Sequence, residues 1–124
     1  MNLSSTINRA ALLQFEELQM EGAPDILVEI IDSFLNTSPE RLELIAKSIE
    51  EHDFKTAANK AHAMKSGAKV LGGDEVERLC QEIENLRDSQ DLEKLKKIFA
   101  CLQESYQIMS KELREIKNER VAKK

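Results

Sequence analysis

The chain is poor in the residues that build turns, crosslinks and aromatic clusters. Its 124 residues include no tryptophan, one tyrosine, four phenylalanines, four glycines, two prolines and two cysteines. So few turn formers favour helices throughout, and no stretch shows the period-2 alternation of a strand. Cys80 and Cys101 stand apart, without C-x-x-C spacing or a nearby pair of histidines, which excludes a disulfide framework or a zinc module. A reducing, cytoplasmic setting is the expectation. No apolar run of ~20 residues could span a bilayer, and Met1 to Thr6 lack the basic start and apolar run of a signal peptide, so no membrane association is expected. Nor is there cationic excess. A net charge of −5 argues against nucleic acid as a partner, because phosphate-backbone binding needs a cationic face.

What is abundant is helix-forming. Hydrophobic residues make up 41% and charged residues 33%, dominated by Leu, Ile, Ala, Glu and Lys. The length fits one domain over residues 1–124, with a core from about 6 to 117.

Five helical segments are legible. The first runs from Thr6 to Met20 with Ile7, Ala11, Phe15 and Leu18 on one face. Gly22-Ala23-Pro24 breaks it, with Pro24 suited to the first turn of the next helix. That helix carries Leu27, Ile30, Ile31 and Phe34. Pro39 either kinks it or starts another with Leu42, Ile45 and Ile49. Asp53 is a suitable N-cap for a third segment whose Phe54, Ala57, Ala61, Met64, Ala68 and Leu71 recur at alternating steps of three and four. Gly72-Gly73 ends it. A fourth segment turns Val76, Leu79, Cys80, Ile83 and Leu86 inward, and a fifth runs from Leu92 to Ile116. The polar stretch 118–124 is expected to fray. Short links between amphipathic helices predict an all-α protein, an antiparallel up-down four-helix bundle with an additional N-terminal covering helix. A monomer is the expectation.

The third segment carries the chemical signal. At about 100° per residue, His62 points roughly 140° away from the Ala57–Ala61 stripe, into solvent. Lys55, Asn59, Ser66 and Lys69 share the outward face, with Lys65 on its flank. From Phe54 to Gly73 there is no Asp or Glu, although the chain holds 23. The same window holds Lys55, Lys60, Lys65 and Lys69. An exposed imidazole among ammonium groups suits a phosphoryl dianion. Ala58, Ser66 and Gly67 are small enough to leave it open to a docking partner, and Leu13 of the first helix is a further candidate contact. Lys55 and Lys60 read more readily as solvated surface, and His52, beside Glu51 and Asp53, as a helix-end residue.

Folding the chain back at Gly73 places Glu84, eleven residues after the turn, level with His62, eleven before it. A carboxylate on Nδ1–H would fix the tautomer and leave the Nε2 lone pair as nucleophile. A di-metal bundle is excluded, because positions 49 and 59, three before each histidine, are Ile and Asn rather than Glu. No nucleophile–base pair or glycine-rich phosphate loop suggests an enzyme acting in its own right.

The segment Ala61-His62-Ala63-Met64-Lys65-Ser66-Gly67-Ala68-Lys69-Val70-Leu71-Gly72 resembles the histidine phosphotransfer (HPt) signature, A-H-x-[LIM]-K-G-[SA]-[SA]-x-x-[LVF]-G. Leu79-Cys80 with Ile83-Glu84 resembles the L-C-x-x-[LI]-E of the family's following helix, and Glu29 to Leu35 with Pro39 its E-L-I-x-x-F-L-x-x-x-P segment. The resemblance implies a phosphorelay carrier of two-component signalling. A sensor or hybrid histidine kinase and response-regulator receiver domains would be its partners. His62 would accept the phosphoryl group and exchange it with a receiver aspartate, Lys65 would support its charge, and Glu84 would orient the ring. The carrier would need no cofactor, the Mg²⁺ belonging to the receiver. Ser66 departs from the pattern, since glycine is usual there, and Lys69 is bulkier than the family's residue and is expected to tune partner choice. Two other readings compete. One is a structural or protein-binding bundle with an idle histidine; the other is the phosphoacceptor module of a chemotaxis-type histidine kinase.

Overall fold

The computed structural model describes residues 7–122. A 3-10 turn, Arg9–Leu12, leads into the short helix α1, Leu13–Leu18. Four longer helices follow: α2 (Ile26–Glu50), α3 (Phe54–Val70), α4 (Asp74–Asn85) and α5 (Leu92–Ala122). Packing runs in a ring, α2 on α3, α3 on α4, α4 on α5 and α5 back on α2. The chain is all-α over its described residues, a four-helix bundle with an N-terminal piece laid across it.

Caps mark the boundaries. The Asp25 carboxylate accepts from the Val28 amide at 3.3 Å and opens α2, so Pro24 lies just outside that helix rather than in its first turn. Asp53 opens α3 by accepting from both the amide (3.0 Å) and the hydroxyl (2.6 Å) of Thr56. Asp91 opens α5 through the Lys94 amide at 3.0 Å. At the end of α3, Gly72 takes φ +74°, and the amides of Gly72 and Gly73 donate to the carbonyls of Lys69 and Ala68. The end of α2 repeats that arrangement with His52 at φ 55°, its amide bonding Ile49 and that of Asp53 bonding Ser48. His52 is thus a helix-terminating residue.

Pro39 sits inside α2, which continues through it as one helix. The proline ring is exposed, while the hydroxyls of Thr37 and Ser38 donate to the carbonyls of Ser33 and Phe34 at 2.9 and 2.6 Å.

The expected stripes form the core. Ala57, Ala61, Met64, Ala68 and Leu71 are fully buried, as are Val76, Cys80, Leu102, Met109 and Leu113. The alanines on α3 bring its backbone close to both neighbours, and larger residues opposite fill the gap. Each fully buried Leu or Met side chain contributes about 1.5–3 kcal/mol.

Two further expectations fail, both near the chain ends. The first segment is not one helix to Met20. Its 3-10 turn advances faster per residue than an α-helix, so the phase read from Ile7 does not carry through. Leu18 is left 59% exposed, although Ile7 and Phe15 are buried. Gln19 then adopts extended backbone, and its amide group ties down the carbonyls of Ala23 and Pro24. Thr6 lies outside the described residues.

The second correction concerns the polar C-terminal stretch. It does not fray at 118 but stays helical to Ala122. Arg120 reaches Asp25 at 2.7 Å and Glu16 at 2.6 Å, and Lys117 reaches Asp32 at 2.6 Å. The last turns are therefore held by carboxylates far away in sequence. Lys123 and Lys124 lie outside the described residues. Arg9 pairs with the nearly buried Glu112 at 3.2 Å, and the Asn8 amide donates to the Gly72 carbonyl at 2.7 Å. Together these contacts seat the N-terminal piece beside the end of α3.

Candidate functional site

His62 stands at mid-length on α3, with 65% of its side chain exposed. The ring is not free to turn. Its Nδ1 lies 3.1 Å from Oε1 of Glu84 on α4, and Glu84 is largely shielded, with 19% of its side chain exposed. The antiparallel α3–α4 pair turns within Gly72-Gly73, so the height match read from the sequence carries into three dimensions. With a carboxylate at Nδ1, the proton belongs on that nitrogen and the lone pair on Nε2. Among the described residues, no hydrogen bond engages Nε2.

Lys65 is also bound to this carboxylate. Its Nζ lies 2.8 Å from Glu84 Oε1 and 2.9 Å from Gln81 Oε1, with 21% of the side chain exposed. The ammonium group thus neutralises Glu84 and donates both of its hydrogen bonds to α4.

His62 borders an open cleft of about 570 Å³ between α3 and α4. From α3 come Lys55, Thr56, Ala58 and Asn59; α4 supplies Glu84, and Arg87 follows just beyond its end. Helical side chains lean toward the N-terminus, so the imidazole overlies the turn of Ala58 and Asn59. Lys55, which the sequence presents as solvated surface, is exposed and also lines this cleft. Arg87 is a lining residue that the sequence motifs do not mark. Its signal was its place three residues after Glu84, which puts it on the same face of the chain.

The other candidate residues separate. Asn59, Ser66 and Lys69 are exposed on the His62 side of α3, and Leu13 is 63% exposed on the N-terminal piece. Lys69 lies with Lys65 along a second depression that α4 borders with Asp74 and Glu77. Two residues differ from expectation. Ala58 is 5% exposed, so it floors the cleft instead of offering a contact surface. Gly67 is only partly exposed and faces inward, where a Cβ would lie 2.7 Å from Cδ1 of Phe34. It permits close approach of α2 and α3, a requirement of core packing.

Cys80 is fully buried one helical turn before Glu84. Burial first, and then the Glu84 charge, pushes its thiol up to about 12. At neutral pH it is a small apolar core residue.

A four-helix bundle with an exposed, carboxylate-oriented histidine is the architecture of a phosphotransfer domain, and the comparisons agree. The Hpt domain family model matches residues 29–116. The chain is 22% identical over 103 residues to histidine-containing phosphotransfer protein 1 of Arabidopsis thaliana, covering 82% of this chain and 67% of that protein. It is likewise 22% identical over 108 residues to histidine-containing phosphotransfer protein 5 of the same plant, covering 85% and 69%. The crystal structure of histidine-containing phosphotransfer protein B (HptB) from Pseudomonas aeruginosa PAO1 superposes with a TM-score of 0.82 at 19% identity, over 92% of this chain and 96% of that one. The chain belongs to the Hpt domain family. It is a phosphorelay carrier of two-component signalling. Members of the family hand phosphoryl groups on rather than turn over substrates, and among the described residues no helix is long and apolar enough to cross a membrane.

Proposed function

We propose that His62 is the phosphoacceptor of this carrier and exchanges its phosphoryl group with the phosphorylated aspartate of a response-regulator receiver domain. The observation that carries this reading is the 3.1 Å approach of Glu84 Oε1 to Nδ1 of an otherwise exposed ring. The Nε2 lone pair attacks phosphorus in line with the bond to the aspartate oxygen. The N–P bond forms, the O–P bond breaks, and the aspartate leaves as a carboxylate. Nδ1 keeps its proton throughout, and the positive charge that develops on the ring faces Glu84.

The transfer is reversible, because neither direction consumes a proton or a co-reactant of the carrier. Its Mg²⁺ belongs to the receiver. A sensor or hybrid histidine kinase supplies the upstream phosphoryl group, and the cytoplasm is the compartment where these partners meet. Ser66, Asn59, Lys69 and Leu13 border the surface such a receiver approaches. Lys69 is the cation placed to choose among partners by the acidity of the incoming face.

Incubation with a phosphorylated receiver and Mg²⁺ tests the assignment. Wild-type protein acquires an acid-labile, base-stable phosphate, and His62→Gln acquires none while keeping its helicity and melting temperature. Label persisting in that variant, or wild-type protein that stays unlabelled, would sink it.

A further inference from the structure

The resemblance assigns support of the phosphoryl charge to Lys65, but the geometry points elsewhere. Resting on the phosphoacceptor reading of His62, we propose that the phosphoryl group on Nε2 is held in the α3–α4 cleft by Lys55 and Arg87. Lys65 is then a positioning residue that acts through Glu84.

Lys65 is already engaged. Its Nζ is 2.8 Å from Glu84 and 2.9 Å from Gln81, and its side chain is mostly shielded. Swinging toward Nε2 would strip a largely buried carboxylate of its cation and free the acceptor that orients the ring. In place, the ammonium cancels the Glu84 charge, which would otherwise repel an incoming dianion.

Lys55 and Arg87 are in the opposite condition. Both are exposed, both border the cleft that His62 lines, and neither side chain has an ion pair or hydrogen bond among the described residues, the Lys55 charge acting only weakly on the Asp53 carboxylate. Lys55 lies two turns N-terminal to His62 on the same face of α3, in the direction in which the imidazole leans. Arg87 closes the cleft from beyond the end of α4. The guanidinium fork suits two phosphoryl oxygens, and the lysine supplies a point charge to the third. One carboxylate, Glu84, faces the same space, and Lys65 already neutralises it.

Phosphorus NMR of the labelled, full-length protein tests this, because a phosphoryl group titrates at a pH set by the cations touching it. Lys55→Ala and Arg87→Ala each raise the second ionisation of phospho-His62 by roughly half a pH unit, the effect of a unit charge ~6 Å away in a watery setting. The double variant shifts further, and Arg87→Lys recovers most of the wild-type value. Lys65→Ala slows transfer while moving the titration less than the double variant does. A merely structural role would leave the phosphorus titration where it was. A double variant that titrates like wild type, or a larger shift in Lys65→Ala, overturns the assignment. Wild-type protein that takes no label from the receiver removes the phosphoacceptor reading itself, and this assignment with it.

Discussion

Glu84 holds His62 by one oxygen: Oε1 lies 3.1 Å from Nδ1, and the same atom accepts Lys65 Nζ at 2.8 Å. One carboxylate therefore couples an exposed ring to a shielded ammonium, and the order of the site depends on its geometry. Glu84→Ala is expected to slow phosphotransfer roughly tenfold without abolishing it, the scale of one lost charge-assisted hydrogen bond. Glu84→Gln still accepts from Nδ1–H and recovers part of the rate. Rapid-quench transfer kinetics decide, and unchanged rates in the alanine variant would remove Glu84 from the mechanism.

Gly67 tests the packing beneath the site. A methyl group there would press on Phe34, whose ring is 5% exposed and lies 6.0 Å from that of Tyr106, so it has little room to yield. Alanine gains ~1 kcal/mol in helix propensity, against which overpacking costs about 1–3 kcal/mol. A lower urea midpoint is expected for Gly67→Ala, with His62 still labelled. A higher midpoint would show that the α2–α3 contact relaxes freely.

The hydroxyl and then the amide of Thr56 hold the Asp53 carboxyl below its ordinary value. A carboxylate lowered on folding contributes stability that is present above its unfolded pKa and is lost as pH falls through the folded one. The melting temperature of Asp53→Ala should therefore lie below wild type near neutrality, and the gap should narrow once pH drops under about 4. A gap constant from neutrality down to about pH 3 would mean that the cap acts without its charge.

The two cysteines should part company. With its thiol pushed up to about 12 inside the core, Cys80 resists alkylation at pH 8, whereas the exposed Cys101 reacts. Thiol titration should count one group in the native protein and both after denaturation. Two fast-reacting groups in the native state would show that α4 opens readily.

Much of the site was readable in advance because it depends on short-range rules. The period of α3 turned His62 outward, the acid-free lysine window marked its face, and a tight glycine turn set Glu84 level with it. Each of these inferences spans at most 22 residues and needs only helical geometry. Lys65 was located correctly on its helix, but its partners were not legible. A lysine side chain is long enough to serve either Nε2 or Glu84, and the choice depends on the spacing between α3 and α4.

The sequence by itself determined the four long helices, most of their buried stripes and the outward turn of His62, because all three follow from periodicity along one chain segment. Only the tertiary structure decided that Arg120 would anchor the C-terminal turns on Asp25 and Glu16, that Gly67 would face Phe34, and that Lys55 and Arg87 would share a cleft with His62. Those outcomes join different elements, some of them about a hundred residues apart. Charge and packing partners are selected by distances through space, which a repeat of three and four residues does not encode.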